Sequence, residues 1–269
     1  MKFSALLSLY HSEKPESLNQ CLSSLYNQTV KADEVILVID GPISETLFNI
    51  ALKWKQDLNI KIYPLEKNMG LGKALNYGLN HCNYELVARM DTDDICLPNR
   101  FSQQLEFFDN NPSFDICGSH IEEFEEENLT TISVRKVGLT NTEILKQLPY
   151  RNPFNHMTVM YKKSSIIKVG GYQHLPWMED WYLWLRLLNN GFKGANLDCV
   201  LVKARTGQNM LLRRRGKKYV KSEWDMTKHK INYGLIPTYL AIFIFFKRAL
   251  PRIFPKYILR IVYALSRRK

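Results

Sequence analysis

The stretch Glu85-Leu86-Val87-Ala88-Arg89-Met90-Asp91-Thr92-Asp93-Asp94 decides how the rest of the chain is read. Glu85 to Met90 has the length and apolar character of a buried strand, and it stops abruptly at three carboxylates within four residues. Carboxylates packed that closely repel one another unless a cation neutralises them, and hard divalent ions such as Mg2+ or Mn2+ take oxygen ligands of this kind. Asp94 also lies just before a helix opened by Pro98 and Asn99, so a loop with helix-capping carboxylates is the alternative. Metal-assisted handling of a phosphate ester is the stronger reading.

Working outward from this strand, apolar runs and helical spacings alternate. Ser4 to Leu9, Glu34 to Ile39 and Ile60 to Tyr63 read as three further strands. Between them, the spacing predicts helices over Pro15 to Asn27, with Leu18, Cys21, Leu22 and Leu25 on one face, over Glu45 to Lys55 and over Gly70 to Asn80. Another runs from Pro98 to about Phe108. Four strand and helix units in succession predict an α/β fold with a mostly parallel central sheet flanked by crossover helices. Ligands of such sheets bind beyond the carboxyl ends of the strands, so Asp40 and Asp91 aim at one crevice. From Asp115 onward the rhythm loosens: strands are expected over 115–122, 131–136 and 156–161, and helices over 163–169 and from Glu179 to Asn189. The acidic run Glu122 to Glu127 reads as a solvated hairpin or loop.

Composition bounds the partners. The 269 residues carry a formal charge of +11, but residues 1–202 hold 19 basic and 24 acidic side chains, against 18 and 2 in residues 203–269. The excess of positive charge therefore belongs to the last quarter alone, which argues for a near-neutral body with a basic appendage. Five cysteines (Cys21, Cys82, Cys96, Cys117, Cys199), an odd number without a close pair, indicate neither a disulfide framework nor a zinc site, and fit a reducing cytosol. The run Phe3 to Tyr10 is too short and serine-rich for a secretory segment.

Residues 231–246 carry no charge and are interrupted by Pro237; sixteen residues span about 24 Å, short of a bilayer core. Lys256 to Lys269 sets Lys256, Arg260 and Arg267 on one helical face and Ile258, Ile261, Val262 and Leu265 on another, the pattern of an interfacial amphipathic helix. The chain is expected to divide into a catalytic domain (1–205), a basic linker or active-site loop and helix (206–230) and a membrane-associating tail (231–269).

Other positions carry chemistry with a plainer alternative beside it. Asp40, before Gly41-Pro42, could accept hydrogen bonds from a base or ribose, or serve only as a turn residue. In Asn68-Met69-Gly70-Leu71-Gly72-Lys73-Ala74, Lys73 near a helix start could offset phosphate charge, while the glycines could merely admit the helix close to the sheet. Glu179-Asp180 opens a strongly apolar helix, either as an N-terminal cap or as a partly desolvated base beside Trp177 and Trp181, aromatic platforms of the kind that pack on sugar rings. His156 precedes a strand and either faces an acceptor or is structural. Arg213 to Arg215 either clamp a diphosphate or form a solvated loop.

Taken together, Val38-Ile39-Asp40, the stretch Asn68 to Asn76, Asp91-Thr92-Asp93-Asp94 followed by Pro98 and Arg100, Gly170-Gly171-Tyr172 and Glu179-Asp180-Trp181 resemble the family 2 inverting glycosyltransferases of the GT-A fold, over roughly residues 3–205. The resemblance implies a Rossmann-like nucleotide-binding half. Asp40 would hold the uracil of a UDP-sugar, Asp91 the ribose or the metal, and Asp93 a Mn2+ or Mg2+ ion bridging the diphosphate. Asp94 and Arg100 would shape the sugar pocket, Asn68 and Lys73 would lie on the donor side, and the loop Leu9-Tyr10-His11 would flank the nucleotide. Asp180 would be the general base and Glu179 would orient a sugar, with His156, Trp181, Arg213 and Arg214 on the acceptor or phosphate side.

Gln208 to Arg215 lacks the Gln-x-x-Arg-Trp motif of processive members, so a single-addition enzyme is expected. The resemblance further implies a polyprenyl-diphosphate-linked saccharide acceptor and a peripheral location on the cytoplasmic face of the cell membrane, with no nucleic-acid partner. A nucleic-acid binder using the basic tail and a metal-dependent sugar nucleotidyltransferase are the competing readings. The first predicts steep salt-dependent binding; the second leaves Glu179-Asp180 unexplained.

Overall fold

Strands β1 (Phe3–Leu9), β2 (Glu34–Ile39), β3 (Ile60–Pro64) and β4 (Leu86–Asp91) pair in parallel in the order β3-β2-β1-β4. They do so in a computed structural model that describes residues 1–125, 130–206 and 216–253. β1 and β2 are apolar on both faces because helices cover both, as parallel sheets require. Alternate residues Phe3, Ala5, Leu7 and Leu9 pack with Leu18, Cys21, Leu22 and Leu25 of α1 (Pro15–Tyr26). Leu6, with Ile36 and Val38, faces Ala74, Leu75 and Leu79 of α3 (Leu71–His81) on the other side. α2 (Glu45–Lys53) is capped by Ser44, whose hydroxyl accepts the Leu47 N–H at 3.3 Å. Gly78 lets α3 settle on the sheet: a Cβ there would stand 2.5 Å from Leu6 Cδ1 and 2.7 Å from Val38 Cγ2.

The second half is mixed. After β5 (Ile95–Cys96) and α4 (Arg100–Asn110) come β6 (Ile116–Glu125), β7 (Thr131–Arg135) and α5 (Asn141–Gln147). A 3-10 turn over His156–Thr158, β8 (Met160–Lys162), α6 (Lys163–Lys168), α7 (Glu179–Asn189) and β9 (Gly194–Thr206) follow. β8 runs antiparallel to β4 and β6, β6 is parallel to β9, and β9 is antiparallel to β5. The nine strands among the described residues form one sheet in the order β3-β2-β1-β4-β8-β6-β9-β5, with β7 beside β6. The strand expected over 156–161 is confined to Met160–Lys162, its first part being the 3-10 turn. α5, β5 and β9 are further elements that the apolar pattern does not announce.

Two more helices, α8 (Lys217–Asn232) and α9 (Thr238–Ile253), form an antiparallel hairpin: the Gly216 N–H meets the Arg252 carbonyl at 3.3 Å, and Trp224 lies against Phe245. Tyr219 and Met226 of α8 join the same core cluster as Leu183, Trp184 and Leu187 of α7. Residues 217–253 are thus packed onto the body. No helix among the described residues is long and apolar enough to cross a membrane. Arg213, Arg214 and the segment Lys256 to Lys269 lie outside the described residues. All five cysteines are free, and four are buried.

Candidate active site

The carboxyl end of β4 carries the acidic cluster. Arg89 and Asp91 stand two residues apart and share a face of the strand. Arg89, 1% exposed, donates through Nη1 to Asp91 Oδ2 at 2.6 Å and through Nη2 to Oδ1, a bidentate pair. Burial lowers the Arg89 pKa, but Asp91 more than offsets it, so the guanidinium is held above its ordinary value. Asp94 is buried; its Oδ1 accepts the Arg205 N–H at 2.8 Å, and its Oδ2 has no hydrogen-bond partner. One carboxylate oxygen from each of Asp91, Asp93 and Asp94 lies within 4.8 Å of the others. Burial first, and Asp91 next, push Asp93 up to about 7, and burial with Asp93 raises Asp94 well above the carboxylate range.

An all-oxygen donor set, mutual repulsion and an orphaned buried oxygen fit a hard divalent cation. Asp93 and Asp94 would hold it together with the remaining lone pairs of Asp91, and the bound ion would neutralise charge developing on a diphosphate. Residues that local pattern did not reveal support the cluster. Arg205 donates Nε to the Asp93 carbonyl at 2.9 Å and Nη2 to Gln20 Oε1 at 2.6 Å. Glu13 Oε2 accepts the Thr92 hydroxyl at 2.8 Å, and the Cys21 thiol donates to the Asp91 carbonyl. Arg205 arrives through the pairing of β5 with β9, in which Ile95 faces Lys203. No local signal marks it.

At the end of β2, Asp40 is 2% exposed and its two oxygens accept the Met69 N–H at 2.6 Å and the Gly70 N–H at 3.0 Å, at the start of α3. Asn68 Nδ2 returns a hydrogen bond to the Asp40 carbonyl at 3.1 Å. Gly41, at φ +86°, admits this crossing, since a Cβ there would lie 2.5 Å from Asn68 N. Asp40 and Asn68 therefore sit together where β2 meets the start of α3, and Lys73 is exposed in the first turn of that helix. Leu9 contributes its carbonyl, which accepts the Asp40 N–H at 2.7 Å, while its side chain is core; of the pair, Tyr10 is the partly exposed one.

Arg100 corrects the sequence reading. It is 0% exposed, and its guanidinium donates to the Arg89 carbonyl at 2.7 Å and to Gln104 Oε1 at 3.1 Å. α4 buries its first turn against β4, so Arg100 braces that strand from within the core and lines no sugar pocket.

At the far edge, α7 opens with Glu179 and Asp180. Asp180 Oδ2 accepts from Asn152 Nδ2 at 2.5 Å, and Oδ1 accepts the Trp181 N–H at 2.8 Å. Glu179 is pushed up to about 7 by burial. It sits over α3, where a Cβ on Gly72 would lie 3.2 Å from Glu179 Cγ. Asn76 of α3 exchanges two hydrogen bonds with the Tyr172 backbone, at 2.6 and 2.7 Å. His156 Nε2 and the Tyr172 hydroxyl share a hydrogen bond at 2.9 Å, and burial drops the His156 pKa well below the ordinary value. It is a neutral partner of Tyr172 rather than a free imidazole held out to an acceptor.

Trp181 is a second correction. It is 3% exposed, its Nε1 donates to the Leu148 carbonyl, and the Lys230 ammonium and Arg248 guanidinium cover its ring at 3.9 and 4.9 Å. The open ring beside the carboxylates is Trp177, 41% exposed and at φ +65°, a strained backbone of the kind that gathers at functional sites.

The parallel half carries Asp40, the central strand the acidic cluster, and the mixed half a carboxylate-opened helix, an arrangement of the GT-A fold. The model of "Glycosyl transferase family 2" matches residues 4–175, and the chain belongs to that family. It is 43% identical over 266 residues to the amylovoran biosynthesis glycosyltransferase AmsE of Erwinia amylovora, covering 99% of each chain. It is 42% identical over 261 residues to the UDP-Gal:alpha-D-GlcNAc-diphosphoundecaprenol beta-1,3-galactosyltransferase of Escherichia coli, covering 96% of this chain and 94% of that one. Among solved structures, S. aureus TarS 1-349 in complex with UDP-GlcNAc superposes with a TM-score of 0.67 at 20% identity, over 94% of this chain and 72% of that one. The mannosyltransferase PcManGT from Pyrobaculum calidifontis, in complex with GDP-Man and Mn2+, gives 0.64 at 12% identity, over 98% and 79%.

Proposed function

We propose that the protein is a non-processive, inverting glycosyltransferase that moves a hexose (glucose, galactose or N-acetylhexosamine) from a UDP-sugar to a hydroxyl of a saccharide carried on a polyprenyl diphosphate. The β-linkage it forms would extend an O-antigen, capsule or exopolysaccharide repeat unit at the cytoplasmic face of the membrane. The observation that carries this reading is the attachment of Asp40 and Glu179, the neighbour of Asp180, to one helix, α3. The Asp40 carboxylate takes N–H groups at its start, and Glu179 rests on Gly72, two residues past Gly70. The names of the two relatives above, both near-full-length matches, support the substrate class.

In the proposed reaction, Asp40 and its Asn68 partner receive the nucleotide. Asp180, aimed by Asn152 and the Trp181 N–H, takes the proton of the acceptor hydroxyl. The hydroxyl oxygen attacks the anomeric carbon while its bond to UDP breaks on the opposite face, so configuration inverts. Glu179, with its pKa near 7, retains a proton in part of the population and can donate to a sugar hydroxyl. A divalent ion at Asp91, Asp93 and Asp94, Mn2+ or Mg2+, would supply charge neutralisation.

The test is a panel of UDP-sugars with Mn2+ and a synthetic lipid-diphospho-GlcNAc or lipid-diphospho-GalNAc acceptor, followed by linkage analysis. Free UDP is the expected nucleotide product, and pyrophosphate would point to a nucleotidyltransferase. Asp180→Asn should lower kcat by at least about 100-fold, the scale of general-base catalysis. A variant that keeps most of its turnover removes Asp180 from the role.

A further inference from the structure

We infer that α9 docks the protein on an anionic lipid surface through one aromatic stripe. Tyr239, Phe243, Phe246 and Leu250 are 77%, 65%, 53% and 49% exposed. Their spacing of four, three and four residues puts them within one narrow face of the helix. The opposite face is spent on α8 and the body: Ala241 and Ala249 are buried, and Arg248 is bound to Glu223 of α8 at 2.8 Å and to the Tyr150 carbonyl at 3.3 Å. Trp224, 41% exposed and stacked edge-on to Phe245 at 5.1 Å, extends the patch onto α8. Four large apolar side chains turned to water on a helix whose other face is packed are a surface built to be covered.

Charge selects the occupant. Lys217, Lys218, Lys221, Lys228 and Lys247 are exposed on the same hairpin. Its two acids are already used, Glu223 buried against Arg248 and Asp225 paired with Lys228 at 2.7 Å. Residues 254–269 add five basic and no acidic side chains in sequence. A second copy of so basic a surface would repel the first, whereas an anionic headgroup layer attracts it and accepts the rings below. The stripe covers about 16 Å along the axis, which suits a helix lying in the interface and not one crossing it.

The docked face also stands in a fixed relation to the chemistry. Lys230 and Arg248 of this hairpin clasp the ring of Trp181, the residue after Asp180. The purpose of docking, presentation of the crevice to a lipid-borne acceptor, rests on the function proposed above; the docking itself does not.

The experiment is co-flotation of the full chain with vesicles of phosphatidylcholine containing about one third phosphatidylglycerol, against phosphatidylcholine alone. Wild type should float with the anionic vesicles and lose most binding at high salt. Phe243→Glu with Phe246→Glu should reduce the bound fraction at least tenfold while leaving thermal unfolding and UDP-sugar turnover on a water-soluble acceptor unchanged. Phe243→Ala should fall between. Flotation of the double variant equal to wild type overturns the inference, as does a wild type that stays at the bottom of the gradient. So does a wild-type dimer in light scattering that the double variant dissolves without any vesicle binding. Flotation without sugar transfer to a lipid-linked acceptor would sustain the docking and sink the proposed reaction instead.

Discussion

Asp93→Asn bears most directly on the acidic cluster. In the fold the Asp93 carboxyl is lifted to about 7, chiefly by burial and then by Asp91; in an unfolded chain it titrates near 3.9. An acid whose pKa is raised on folding holds its proton more tightly in the native state. Its contribution is therefore most favourable below about pH 4 and is lost as pH rises to about 7. At about 1.4 kcal/mol per pH unit the whole loss is at most about 4 kcal/mol, of which roughly 2 to 3 falls above pH 5. Urea unfolding in EDTA at pH 5 and pH 8 should show wild type losing about that much more stability than Asp93→Asn. Glu179 contributes with the same sign and neutral His156 with the opposite one, and both cancel in the difference between the two proteins, whereas Asp94, raised in part by Asp93, adds to that difference with the same sign. Saturating Mn2+ should then stabilise wild type strongly at pH 8, where the carboxylates are ionised, weakly at pH 5, and Asp93→Asn little at either. Equal pH slopes in the two proteins, or equal stabilisation of both by Mn2+, would refute the reasoning.

Two further outcomes follow from packing. Gly78→Ala forces a methyl against Leu6 and Val38 at 2.5 and 2.7 Å, so it should cost about 1 to 3 kcal/mol in chemical denaturation by lifting α3 from the sheet. Trp181→Leu removes the ring held between Lys230 and Arg248 and the hydrogen bond to Leu148; kcat should fall at least tenfold with KM for the UDP-sugar little changed, as steady-state kinetics would register.

The parallel half was legible because its strands are apolar throughout and its helices keep a clean 3.6-residue period, so β1 to β4 and α1 to α3 lie within two residues of where pattern puts them. β9 escaped because Asn196, Asp198, Lys203 and Arg205 break its alternation; its burial comes from β6, some eighty residues away in sequence. The acidic cluster announced itself by like charge at a strand end. What pattern could not supply was which polar residues turn inward. Arg100 and Trp181 carry the residue types of a sugar site, yet tertiary packing closes both, while Arg89 and Arg205 reach the cluster through a strand face and a cross-strand register that no local spacing reveals.

α3 has a consequence for how far the active site can change. Its first turn is fastened to Asp40, Gly72 supports Glu179, and Asn76 holds the Tyr172 backbone. Asp40, Glu179 and the Tyr172 backbone are thus spaced by one rigid helix, about 1.5 Å per residue, rather than by the surrounding loops. Those loops are free to adapt to new sugars without disturbing it. One residue inserted between Gly72 and Asn76 would turn the remaining helix by about 100° and swing Asn76 off the Tyr172 backbone, with the Asp40 and Glu179 contacts left in place. Such a protein would keep both carboxylates on the first turn of the helix and lose the brace on the Tyr172 backbone, which precedes α7 in the chain.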